Sequence, residues 1–130
     1  MEVKSIVLHD GITKIGEGAF MNVGFALDYT IPVEENEFLN IVIPSSVKEI
    51  GDWAFFYADL KTAVIPSSVG KIGMFAFAEL RGDAKLYTEH TSKPAEWHTL
   101  WSQVFNDTYL PDYVYWQGEW SYVNGVPKVK

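Results

Sequence analysis

The side chains able to do chemistry are few in kind. The histidines are His9, His90 and His98. His90 and His98 stand beside Glu89 and Glu96, a grouping from which a metal site can be imagined. The H-E-x-x-H spacing is missing, and there is no cysteine to complete a tetrahedral set. These histidines therefore read as surface residues, and no metal is expected. Carboxylates are plentiful, but no spacing in the chain pairs two of them for acid–base work. There is no G-x-S-x-G turn, phosphate loop or dinucleotide-binding glycine fingerprint. The chain is accordingly read as a non-enzyme that uses no cofactor.

What remains is chemistry of recognition. Arg81-Gly82-Asp83 spells the integrin-type adhesion tripeptide, in which the aspartate would reach a cation held by a partner. The plain alternative is a turn, where Gly and Asp are common. Asp28, Glu34, Glu35 and Glu37 crowd the stretch from Gly24 to Glu37. As an exposed loop they would attract a basic partner; otherwise they form a solvated excursion. Val7, Val42 and Val64 fall at matching places in a repeated pattern, described next. They are expected to form an outward apolar column, either a contact stripe or a consequence of strand propensity.

The elements that must position these residues follow from a repeat. The segment Ile41-Val42-Ile43-Pro44-Ser45-Ser46-Val47-Lys48-Glu49-Ile50-Gly51-Asp52-Trp53-Ala54-Phe55 recurs as Ala63-Val64-Ile65-Pro66-Ser67-Ser68-Val69-Gly70-Lys71-Ile72-Gly73-Met74-Phe75-Ala76-Phe77, 22 residues on. An earlier copy runs from Ile6 to Phe20, 35 residues before the middle one. The difference is an insertion at about 24–37. In Ile41-Val42-Ile43 the outer two side chains share one face and Val42 takes the other. One such unit cannot bury its apolar face alone; stacked units bury a continuous core. Ile15, Ile50 and Ile72 then form one inward column, and Phe20, Phe55 and Phe77 another. Gly51 and Gly73 fall where a side chain would clash or φ is positive. Keeping Ala84 and Leu86 inward needs a one-residue shortening before the next strand.

The I-P-S-S-V-x-x-I-G-x-x-A-F string, present twice, resembles the BspA-like leucine-rich repeats. Departures are Val23, Ala58 and Leu80 at the family's common cysteine position, and His9 where proline is usual. The resemblance covers residues 3–87 as repeats. It extends into Ser92-Lys93-Pro94 with Trp97 and Trp101, which look like the segment that follows such arrays. It implies a leucine-rich-repeat right-handed solenoid, mainly β with short helices. It also implies a role in adhesion or host-protein binding at the cell surface or in secreted form.

Solenoid ends need covering. Trp97, Leu100, Trp101, Val104 and Phe105 follow i, i+3, i+4, i+7, i+8 spacing, which predicts a helix from about Pro94. Residues 113–123 alternate toward a turn at Asn124-Gly125. Residues 1–87 are thus read as three repeats and 88–130 as an aromatic C-terminal cap. The first repeat shows no cover, so its edge is expected to pair with another chain or to adjoin further repeats.

Composition fits this picture. The 130 residues carry a net charge of −7, and 48% are hydrophobic. Two lysines and seven acids fall in the first forty residues, so the charge is concentrated there. An acidic chain does not bind nucleic acid or anionic membrane directly. No apolar run reaches the ~18 residues of a membrane span, and no signal peptide opens the chain. The function expected is non-enzymatic recognition of a protein partner, one rich in basic residues. Two alternatives stand beside it. One is an acidic inhibitor that blocks a nucleic-acid-binding partner. The other is a glycan-binding module using rings among Trp97 to Trp120.

Overall fold

The computed structural model describes residues 6, 8–23, 39–80, 84–102 and 114–130. Nine strands occur among them: β1 (Lys14–Ile15), β2 (Leu39–Val42), β3 (Glu49–Ile50), β4 (Leu60–Ile65), β5 (Lys71–Ile72), β6 (Lys85–Thr88), β7 (Val114–Tyr115), β8 (Trp120–Val123) and β9 (Val126–Val129). They form a parallel sheet β1-β3-β5, a parallel sheet β2-β4-β6-β7, and an antiparallel pair β8-β9.

The repeat period sets the register. Ile15, Ile50 and Ile72 are successive partners across the first sheet. Ile41, Ala63 and Leu86 are successive partners across the second. Between the sheets, the rings of Phe20, Phe55 and Phe77 stack at centroid separations of 5.2 and 4.9 Å. Phe55 and Phe77 are fully buried, and each contributes roughly 1.5–3 kcal/mol of transfer free energy.

The phenylalanine-bearing turns are stitched by an alternating hydrogen-bond scheme. The N–H groups of Gly18, Phe20 and Asn22 donate to the carbonyls of Asp52, Ala54 and Phe56 in the next repeat. Trp53, Phe55 and Tyr57 donate in the same way to Met74, Ala76 and Ala78. The intervening amides of Ala54, Phe56 and Ala58 close turns within their own repeat. This geometry puts Gly18, Trp53 and Phe75 in the left-handed region, and again Asn22, Tyr57 and Glu79. The strain recurs because each turn makes the same bonds.

Gly51 and Gly73 serve close approach. A Cβ on Gly51 would lie 2.7 Å from the Glu17 nitrogen, and one on Gly73 would lie 2.6 Å from the Asp52 nitrogen. Neither has a positive φ. Gly16, at the matching place in the first repeat, has nothing within 4 Å of that position.

Three details differ from the expectations. The register does not shorten before β6: Leu86 pairs with Ala63, one residue beyond the 22-residue period. Ala84 and Leu86 are still inward and buried, because gaining or losing one residue gives the same alternation. Leu39 pairs with Leu60, 21 residues on and not the 22 of the repeat, with an irregularity that leaves Lys61 outside the pairing.

The third difference is the helix. No helix occurs among the described residues, so the stretch from Pro94 to Ser102 is turn and bridge. Trp97 bridges to Ile72, and His98 N–H donates to the Ile72 carbonyl at 2.8 Å. The carbonyls of Leu100 and Trp101 accept from Phe75 and Phe77 at 3.0 and 2.8 Å. A helix would have used those carbonyls internally and left the third repeat's amides unpaired beside the core. Trp97 and Trp101 therefore extend the isoleucine and phenylalanine columns. The same apolar spacing that reads as a helix face serves a repeat turn. Val104 and Phe105 lie outside the described residues.

Candidate functional site

The second parallel sheet has one face in the core and one facing away. Register places Val42, Val64, Tyr87 and Tyr115 in one column on the outer face. That column is half covered. The hairpin β8-β9 turns at Asn124 and Gly125, both with positive φ, the preference of a two-residue hairpin turn. It carries Trp120 back onto the sheet. Trp120 lies 5.2 Å from the Tyr87 ring and donates its Nε1–H to the Thr88 carbonyl at 2.9 Å. Val64, Tyr87 and Trp120 form a second small core, with Tyr115 packed against it. Burial there, with a smaller contribution from Tyr115, pushes the Tyr87 hydroxyl above its ordinary 10.0.

Val42 and Val64, expected as neighbours in an open stripe, therefore differ. Val42 is 63% exposed and Val64 is 3% exposed. The hairpin covers the second and stops short of the first. Between its turn and the sheet runs a groove of about 350 Å³, lined by Asn40, Val42, Thr62, Val64, Val126 and Pro127. Its floor is fixed by the Thr62 hydroxyl, which donates to Asn40 Oδ1 at 2.6 Å. Val126 is 55% exposed and lines the same groove as Val42.

Of the nine residues singled out from the sequence, the groove brings together Val42 and Val64. Val7, Asp28, Glu34, Glu35, Glu37, Arg81 and Asp83 lie outside the described residues. Asn40, Thr62, Val126 and Pro127 were missed. The hairpin was legible in Asn124-Gly125, but no sequence pattern says which face a terminal hairpin folds back on.

Several other charged and aromatic groups have structural partners. Glu49 lies 3.7 Å from both Lys14 and Lys71, an alternating ladder across β1, β3 and β5. Being exposed, it adds little stability. His90 Nε2 and Trp97 Nε1 both donate to the Val69 carbonyl, at 2.9 and 3.1 Å. His98 Nδ1 accepts from the Leu100 N–H at 3.0 Å. The two histidines thus brace backbone instead of converging, and no group of three or more His, Asp or Glu among the described residues is placed to hold a metal. Trp97, Trp101 and Trp120 are buried, so none of these rings is open to stack a sugar.

A match to a known family bears on the repeat. Residues 1–111 match the BspA type leucine-rich repeat region, described as having six copies. The chain belongs to this family. Neither the curated proteins nor the solved structures contain a match. The BspA-type match runs past β6 and takes in the Trp97–Trp101 segment, in keeping with its bonds to the third repeat. Membership makes the chain a repeat module of a typically non-enzymatic family that mediates protein–protein contact or adhesion, often at the surface or in secreted form. Among the described residues no helix is long and apolar enough to cross a membrane.

Proposed function

We propose that this chain is a protein-recognition module that receives an extended segment of a basic protein in the groove between the outer sheet face and the hairpin turn. The repeats at 1–87 form a right-handed solenoid, and residues 88–130 close its C-terminal end with aromatic side chains. The single observation behind the reading is that Val42 and Val126, both exposed, line one groove together with the hydrogen-bonded pair Thr62 and Asn40. Exposed apolar side chains gathered along one groove mark a contact site. Asp28, Glu34, Glu35 and Glu37 supply the charge. They steer a basic segment toward the module and set the encounter rate more than the final affinity.

The test is a pull-down with quantitative mass spectrometry. It compares the chain with Val42→Asp and with the triple variant Glu34→Lys, Glu35→Lys, Glu37→Lys. A common set of basic proteins retained by the original chain should be lost on Val42→Asp. The triple variant should retain it more weakly, most visibly at low salt, where exposed charges act over about 10 Å or more. Equal retention by all three chains rules the groove out.

A further inference from the structure

A second recess lies at the base of the hairpin, away from its turn. It measures about 290 Å³ and is lined by Glu89, Gln117, Trp120, Ser121, Tyr122 and Lys130. Its apolar wall is the ring of Tyr122, which is 50% exposed. That ring is held: it meets Trp120 edge-on at 5.2 Å and 74°, and Trp120 is itself anchored to the Thr88 carbonyl. An exposed ring already fixed by its neighbour offers a flat contact surface at little entropic cost.

The polar wall is under-used. Glu89, whose Oε1 accepts the Ser67 N–H at 3.0 Å, also lines the recess. The side chains of Gln117, Ser121 and Lys130 have no hydrogen-bond or ion-pair partner among the described residues. The recess therefore gathers an acceptor carboxylate, an amide that both donates and accepts, a hydroxyl and a donor ammonium. Glu89 and the Lys130 ammonium bring charges of both signs to the lining, with uncharged donors and acceptors between them.

We propose that this recess is a binding site for one neutral pyranose sugar ring. A pyranose has an apolar C–H face, which suits the Tyr122 ring, and a rim of hydroxyls. Each hydroxyl both donates and accepts, which suits mixed partners around the edge. The volume lies at the small end of ligand sites, about 300 Å³, and suits a single ring. Burial, and then the nearby Glu89 charge, raise the Tyr122 hydroxyl above its ordinary 10.0, so it remains a donor at neutral pH. The site is separate from the groove beside Val42 and stands or falls independently of it.

The test is an amide-resolved NMR titration of the full chain with glucose, galactose and N-acetylglucosamine, and with choline chloride for comparison. At least one sugar should shift the Gln117, Ser121 and Tyr122 amides, with a dissociation constant of about 1 mM or below. Tyr122→Ala should weaken that binding about tenfold or more, because the stacking face is gone. Tyr122→Phe should stay within about threefold, since the face is kept. Tyr57→Ala, which removes an exposed ring elsewhere, should change nothing. If Tyr122→Ala loses its amide dispersion, Gln117→Ala replaces it, with weakening again expected. No response to any sugar overturns the proposal. So does a response to choline alone, or sugar binding by the Tyr122→Ala and Gln117→Ala chains as tight as that of the unaltered chain.

Discussion

Gly51 and Gly73 hold a close approach between neighbouring repeats, and the reason is the backbone of the preceding repeat. Alanine at Gly51 would place its methyl carbon 2.7 Å from the Glu17 nitrogen, so one repeat must move off the other. The expected cost is about 1–3 kcal/mol, typical of over-packing. Gly16 has the same sequence context but open space at the same point. Gly16→Ala should be neutral or stabilise by up to about 1 kcal/mol, through the unfolded chain. Urea denaturation of the two variants checks the pair, and equal effects would show that the glycine's role is conformational. The sequence could say that a glycine recurs at this point. It could not say that two of the three copies face a neighbour and one does not.

At the scale of elements, the hairpin β8-β9 decides what is exposed. Its strands pair in register from Trp120↔Val129 to Val123↔Val126, and it touches the outer sheet face chiefly through Trp120. Removing that ring by Trp120→Ala should weaken docking by about 3 kcal/mol, the scale of a lost aromatic anchor. Amide exchange should then quicken in β8 and β9 while β3, β4 and β5 stay protected. Uniform loss of protection would mean that the hairpin belongs to the main cooperative unit. The neighbouring Pro94–Ser102 stretch teaches a related lesson. Trp97 and Trp101 have the spacing of a helix face, but the Leu100 and Trp101 carbonyls are taken by the Phe75 and Phe77 amides of the third repeat. Satisfying those amides settled the local structure, because buried unpaired backbone is costly and isolated short helices are marginal.

At the scale of the whole molecule, stacked repeats make stability nearly a sum of unit and interface contributions. Inserting a second copy of residues 52–73 after Gly73 preserves the 22-residue phase and adds one further set of columns. The chain should fold and melt about 5 °C or more higher, the shift that a kcal/mol or so brings in a domain of this size. A copy of residues 54–73 at the same place is two residues short. It would throw the isoleucine and phenylalanine columns out of line and should lower the melting temperature. Thermal melts followed by circular dichroism separate the outcomes. A rise for both insertions would show that phase does not matter.

The sequence by itself determined the repeat and, across β1, β3 and β5, its register and inward columns. Ile15/Ile50/Ile72 and Phe20/Phe55/Phe77 were readable because a repeat places equal residues in equal environments, and periodicity is a property of the chain alone. It also determined the hairpin turn, since Asn124 and Gly125 tolerate positive φ. Only the tertiary structure decided which outward residues stay open. Val42 and Val64 are equivalent in the repeat, yet one is exposed and the other lies under Trp120. The groove at Asn40–Thr62 and the recess at Tyr122 both arise where a non-repeating hairpin meets a repeating sheet. Such contacts join residues far apart in the chain, and no local spacing records them.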